Sequence, residues 1–173
     1  MLKTDKKTND EVYTRLQNIE KELNKYDPAV FKDKVIFCNV DDRSCNCWRF
    51  FHMHFHRLGL KKLIATHYNM DGSSSYAMTY DSKEPKDDVD FSKGTKIMLK
   101  GDGDFRSDEC ASLLKQSDMV VANLPSSLFW EYIAQLEQYT NPYSIIGNHS
   151  AIICKAIFPL LKDEKTALWL FTA

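Results

Sequence analysis

Four consecutive residues, Asn123-Leu124-Pro125-Ser126, stand directly after the apolar run Met119-Val120-Val121-Ala122. A strand that ends in Asn-x-Pro presents a side-chain amide and a bare main-chain carbonyl at the edge of a sheet. Two carbonyl acceptors, one on the Asn123 side chain and one on the Leu124 main chain, can hold both hydrogens of an aromatic amine. Such a nitrogen is a poor nucleophile because its lone pair is delocalised into the ring. Acceptors that draw it toward tetrahedral geometry localise that pair toward an electrophile, and preorganised polar groups of this kind are a usual source of rate. The same residues also read as a plain strand end, with Ser126 or Ser127 capping the helix that follows. Spacing alone leaves both readings open.

A second constellation, Gly101-Asp102-Gly103-Asp104-Phe105, follows the apolar run Ile97-Met98-Leu99. There Asp104 can accept from the amino group of a purine while Phe105 packs on its face, although Gly-Asp-Gly-Asp taken alone reads first as a turn. Asn39, Asp41 and Asp42 follow the first apolar run, Val35 to Cys38, where nucleoside sites usually begin in open α/β sheets. No glycine-rich phosphate cradle accompanies them. His52, His54 and His56 invite a metal, but only His52 and His56 share a helix face and no acidic partner has the right spacing, so no metal is expected. Cys45 and Cys47 have no second pair. The five cysteines are odd in number and read as reduced thiols.

These groups need elements to hold them. Val12, Leu16, Ile19, Leu23 and Tyr26 recur at helical spacing from Asp10, and Asp27-Pro28 closes the helix. Val35–Cys38 reads as a buried strand. Trp48, Phe51, Phe55 and Leu58 mark one helix stopped by Gly59, and Leu63–Thr66 a second strand. Residues 71–90 read as a polar surface excursion with a short strand at Tyr76–Tyr80. Ile97–Leu99 is another apolar run. Ser107, with Asp108 and Glu109 behind it, starts a helix. Then come the Met119–Ala122 strand, a helix with Phe129, Tyr132, Ile133 and Leu136, and a strand at Tyr143–Ile146. A helix with Ile152, Ile153, Ala156 and Ile157 and a last strand near Ala167–Phe171 finish the chain. Short apolar strands alternating with amphipathic helices predict an α/β fold, its sheet mainly parallel and covered on both faces. In such a sheet the polar groups after the strands converge on one rim.

At 173 residues and 43% apolar content the chain fits one domain. Its 23 basic residues against 24 acidic ones give a net charge of −1, without the basic footprint of a free-standing DNA binder. No apolar stretch approaches the length of a membrane span, and no signal peptide opens the chain, so a cytoplasmic protein with no membrane partner is expected. Residues 1–9 read as a flexible N-terminus.

In this order the pieces resemble the EcoRI-type adenine-specific DNA methyltransferases. The stretches that carry the likeness are Asp10–Thr14, Cys38–Asp42, Leu58–Ala65, Gly101–Ser107, Asp118–Asn123, Ser127–Phe129, Glu131–Ala134 and Ile145–Asn148. The resemblance implies a Rossmann-like fold over residues 10–173 that binds S-adenosylmethionine and transfers its methyl group to N6 of an adenine flipped out of duplex DNA, as in restriction-modification systems. Carried over residue by residue, Asn123 and Leu124 hold the target amine within the motif that Pro125 and Ser126 complete. Asp104 and Phe105 hold the cofactor's adenine, Tyr13 and Thr14 match the N-terminal cofactor motif, and Asn39, Asp41 and Asp42 match the first strand-end segment. The family's Asn-Pro-Pro-Phe is here Asn-Leu-Pro-Ser, so the aromatic that stacks on the flipped base is lost at Ser126, worth about 1–3 kcal/mol per stacked base. The family's DNA target-recognition region, which follows the catalytic half, is expected to be absent, leaving weak DNA binding. The alternative implied by these departures is a non-catalytic, S-adenosylmethionine-binding remnant.

Overall fold

The computed structural model describes residues 16–39, 46–83, 93–123, 128–139, 143–148 and 166–171. A strand covered on both faces must be apolar at every position, and β1 (Val35–Cys38) is buried at all four. Side chains alternate across it. Ile36 and Cys38 join one apolar cluster with Trp48, Phe51 and Phe55, while Val35 and Phe37 join another with Leu114, Tyr132 and Leu136. The first cluster is closed by α1 (Leu16–Leu23), α2 (Asn46–Met53) and α3 (Phe55–Leu58); the second by α4 (Asp108–Lys115) and α5 (Phe129–Leu136). Helices therefore cover both faces, as expected.

The remaining strands are β2 (Lys62–Thr66), β3 (Tyr76–Asp81), β4 (Thr95–Met98), β5 (Met119–Asn123), β6 (Tyr143–Asn148) and β7 (Thr166–Phe171). Among the described residues they form one sheet in the order β4-β3-β2-β1-β5-β6-β7. Strands β2, β1, β5, β6 and β7 are parallel neighbours, whereas β3 is antiparallel to both β2 and β4. The sheet is thus mainly parallel, as expected, but mixed, because β3 is reversed. The cause is chain length. Only residues 67–75 join β2 to β3, too few for the crossover that a parallel neighbour needs. A second reversal turns β4 back, so its carboxyl end lies on the same side of the sheet as those of β2, β1, β5 and β6.

Helix ends follow the residues that mark them. Ser107 accepts from the Cys110 N–H and starts α4. Asp27 accepts from the Ala29 N–H and opens a single 3-10 turn at Pro28–Val30. Gly59, at φ +63°, ends α3 in the left-handed conformation, its N–H reaching the carbonyls of His56 and Phe55. The single helix expected from Trp48 to Leu58 is two segments divided at His54, whose ring lies edge-on to Phe50 and accepts from Arg57 Nε at 3.3 Å. At the other end of the sheet Asp118 clasps Val35: its Oδ2 accepts from the Val35 N–H at 2.8 Å and its own N–H donates back at 2.9 Å. The helix expected around Ile152–Ile157, and the first part of the one from Asp10, lie outside the described residues. No helix among the described residues is long and apolar enough to cross a membrane.

The strand placed within a surface excursion is in fact core. Ala77, Met78 and Tyr80 of β3 are buried, and the Tyr80 ring meets His52 at 4.2 Å and Phe55 at 4.9 Å between centroids. Tyr80→Ala should therefore destabilise by about 3–5 kcal/mol, measured by chemical denaturation. A change of a few tenths would return Tyr80 to the surface.

Candidate functional site

The strand directions bring four polar segments to one rim. Asn39 follows β1, Asn123 ends β5 opposite Ile146, Gly147-Asn148 end β6, and residues 99–106 follow β4. This is the carboxyl edge at which open α/β sheets bind ligands, and the expected convergence is observed for the described members.

The segment after β4 is the most fully determined. Glu109, in the first turn of α4, reaches back so that its carboxylate accepts from the N–H groups of Lys100 and Gly101, each at 3.0 Å. Those two N–H groups hold its carboxyl below the ordinary range. The Ser75 N–H donates to Gly101 O at 2.9 Å, and the Asn69 N–H to Asp102 O at 2.8 Å. The β2–β3 connection and the β4 loop are thereby laced together. Gly103 sits at φ +84°, and a β-carbon there would run into the His67 carbonyl oxygen, so only glycine fits. Asp102 Oδ1 accepts from the Asp104 N–H at 3.0 Å, the turn chemistry read from Gly-Asp-Gly-Asp.

Asp104 stands at the lip of this loop, its side chain 19% exposed. Its Oδ1 accepts from the Arg106 N–H and from Arg106 Nε, both at 2.8 Å, and its Oδ2 pairs with Arg106 Nη2. The Arg106 side chain holds the Asp104 carboxyl below its ordinary value, and partial burial opposes this. Arg106 Nη1 also meets Glu131 of α5, at 3.1 Å to Oε1 and 3.3 Å to Oε2. Phe105 is 3% exposed and packs edge-on against Tyr132 at 5.1 Å, with Gln135 Nε2 donating to its carbonyl at 2.9 Å. Little of the Phe105 ring is presented at the surface.

Asn39 is buried beneath the rim, and its Oδ1 accepts from Thr66 Oγ1 at 2.7 Å. The neighbouring strand ends of β1 and β2 thus share one buried polar contact. Tyr132 lies under the same region, fully buried. Burial pushes its phenol well above the ordinary value, the nearby Asn39 amide offsets only part of that, and its hydroxyl makes no well-formed hydrogen bond. Cys110 is buried with Sγ 3.5 Å from Gly103 O, and burial raises its thiol.

Of the residues expected at the site, the structure brings Asn39, Asp104 and Phe105 to the rim or just beneath it. Asn123 is described as the last backbone position of β5. Tyr13, Thr14, Asp41, Asp42, Leu124, Pro125 and Ser126 lie outside the described residues. Four residues that organise the site carried no assigned role in the sequence: Thr66, Arg106, Glu109 and Glu131. Glu109 was legible only as a first-turn acid of α4. Arg106 stood within a matching stretch without a function. His52 is buried against Trp48 and Tyr80, and among the described residues no group of three or more His, Cys, Asp or Glu side chains could hold a metal ion.

The family profile described as "Adenine-specific methyltransferase EcoRI" matches residues 1–172. The chain is 42% identical over 182 residues to "Type II methyltransferase M.EcoRI" of Escherichia coli, a match covering 97% of this chain and 53% of that protein. It is 40% identical to "Type II methyltransferase M.MpnI" of Mycoplasma pneumoniae and 38% identical to "Type II methyltransferase M.MgeORF184P" of Mycoplasma genitalium. Each of those two matches covers 95% of this chain and 48% of the relative. The chain thus spans about half the length of the curated relatives it matches. No solved structure matches it.

Two outcomes follow from the loop geometry. Gly103→Ala should separate the β4 loop from the β2–β3 connection, exposing the amides of Asn69 and Ser75 to faster hydrogen exchange and lowering stability by about 1–3 kcal/mol. The second concerns pH. The folded-state values of Asp104 and Glu109 are both depressed, so their contribution is complete above the ordinary carboxylate values near about pH 4. It is lost as pH falls through the depressed ones. Carboxyl NMR titration should find both groups ionised below about pH 4; ordinary titration of either would remove that tie.

Proposed function

Because the chain belongs to the EcoRI-type adenine-specific methyltransferase family, we propose that residues 10–173 form the Rossmann-like catalytic half of a DNA adenine-N6 methyltransferase that uses S-adenosylmethionine. The observation that carries this reading is the convergence of the β1, β4 and β5 ends on one rim, with the β4 loop laced in place by its own hydrogen bonds. The residues present suit an adenosyl group. Asp104 offers a partly exposed acceptor for an amino hydrogen.

In this reading Asp104 accepts from the cofactor's adenine, and Phe105 forms the apolar floor below it. Tyr13, Thr14, Asn39, Asp41 and Asp42 complete the cofactor side, Asn39 through its buried bond to Thr66. When bound, S-adenosylmethionine supplies an electrophilic methyl group. Asn123 through its side-chain carbonyl, and Leu124 through its main chain, accept the two hydrogens of the target amine and localise its lone pair. Pro125 fixes the φ that follows Leu124. Ser126 leaves the flipped base without the aromatic platform of Asn-Pro-Pro-Phe, which lowers the productive fraction. The partner is duplex DNA, held weakly by a half with net charge −1, and the place of action is the cytoplasm. No metal takes part.

Tritiated-methyl transfer to duplex DNA of mixed sequence tests this directly. Transfer should occur, and Asn123→Ala should lower it by about 10²–10³ while calorimetric affinity for S-adenosylmethionine stays within a few-fold. An alanine variant as active as the parent would refute the assignment of Asn123. Binding without transfer would select the cofactor-binding remnant. Equal affinity for ATP, NAD and S-adenosylmethionine would refute the methyltransferase reading altogether.

A further inference from the structure

Arg106 has no catalytic or binding role assigned above, yet its main chain and guanidinium together take most of the Asp104 carboxylate. An ionised carboxylate has about four acceptor sites. Among the described residues, Arg106 occupies three of them: its N–H and Nε on Oδ1, and Nη2 on Oδ2. One site remains, on Oδ2. The planar fork of an arginine fixes the plane of the carboxylate it grips, which a single ammonium does not. The fork is itself anchored, since Nη1 is held by both oxygens of Glu131 on α5 and the guanidinium carbon lies 5.2 Å from the centre of the Phe105 ring. Asp104 is therefore held from two elements at once, with its free acceptor site in a fixed direction.

We infer that Arg106 is a positioning residue for adenine selectivity, orienting Asp104 so that its one open acceptor site takes a hydrogen of the cofactor's exocyclic amine and rejects a carbonyl oxygen in that place. This rests on the assignment of Asp104 to the cofactor's adenine made above. Exposed ion pairs contribute little to folding, and half of the Arg106 side chain is exposed, so the work of this pair is in orientation rather than in stability. A carboxylate free to rotate would still bind an amine but would discriminate less against an oxygen, because it could turn away.

The test is calorimetric affinity for S-adenosylhomocysteine against S-inosylhomocysteine, in which a carbonyl oxygen replaces the amino group. The unmodified chain should prefer the adenosyl compound by about ten- to a hundredfold, the range for one hydrogen bond to a charged group. Asp104→Asn should abolish the preference. Arg106→Ala should compress it to within a few-fold of unity with little change in melting temperature. Arg106→Lys, which keeps the charge without the fork, and Glu131→Gln should fall between. If Asp104→Asn abolishes the preference and Arg106→Ala retains it in full, the positioning role is refuted and the Asp104 assignment stands. If Arg106→Ala weakens both compounds equally, Arg106 is a structural tie and the inference fails. An unmodified chain with no preference would refute the Asp104 assignment and this inference together, whatever the outcome at Asn123.

Discussion

Nine residues between β2 and β3 cannot carry a crossover, and that shortness governs one whole side of the sheet. Because the connection is short, β3 must run back against β2; because β3 runs back, β4 returns parallel to β2. Its carboxyl end then meets the rim already set by β1 and β5. Had a helix intervened after β2, β3 would have been the strand that delivered its end to the rim, with β4 displaced. The site thus inherits its composition from a count of residues. The close passage of Gly103 under the His67 carbonyl locks the arrangement, since no side chain fits there.

The polar groups at the rim are satisfied in layers. Nearest the core, Thr66 and Asn39 bond to each other across neighbouring strand ends, which makes their burial tolerable. Above them, the main-chain N–H groups of the β4 loop are taken by Glu109 and Asp102, acids brought close by α4 and by the turn itself. Outermost, Asp104 is answered by Arg106 and Arg106 by Glu131. A loop whose polar groups are partnered in this way is held in place by the chain's own contacts. The order of these layers also separates their consequences. Disturbing the inner layer threatens the fold, whereas disturbing the outer one alters direction and charge at the surface.

Much of this was legible in the residues. Ser107 before Asp108-Glu109 and Gly59 after Leu58 mark element ends through local chemistry, and the structure places ends at both; α1 instead ends at Leu23, short of Asp27-Pro28, which opens the 3-10 turn. The apolar runs at Val35–Cys38 and Met119–Ala122 needed only their length and composition. Tyr76–Tyr80 was recognised as a strand but not as core, because the serines before it and the acidic run after it suggest solvent, while burial comes from helices distant in sequence. The reversal of β3 is not legible for a related reason: strand direction is a property of connections, and the apolar pattern of a strand reads the same either way. Glu109 reaches Lys100 over nine residues and Glu131 reaches Arg106 over twenty-five, distances at which no local rule operates. Family resemblance identified the stretch that contains Arg106 but not its grip on Asp104.

The same layering bears on how cofactor and DNA would divide the molecule. On the proposed reading, the cofactor's adenine is fixed by the β4 loop, held by Glu109 of α4 and Glu131 of α5. The groups that would hold the flipped base follow β5, with Ser126 where the resemblance implies an aromatic. Loss of a stacking surface weakens a base already extruded from the helix, but it leaves the hydrogen bonds of the β4 loop untouched. Charge points the same way. Affinity for duplex DNA is largely counterion release from contacts with Lys and Arg, and a chain with 23 basic and 24 acidic residues supplies little of it in net. On the proposed reading cofactor binding and DNA binding are therefore separable: the first would rest on a loop held by the chain's own contacts, and the second on positive charge that its composition barely provides.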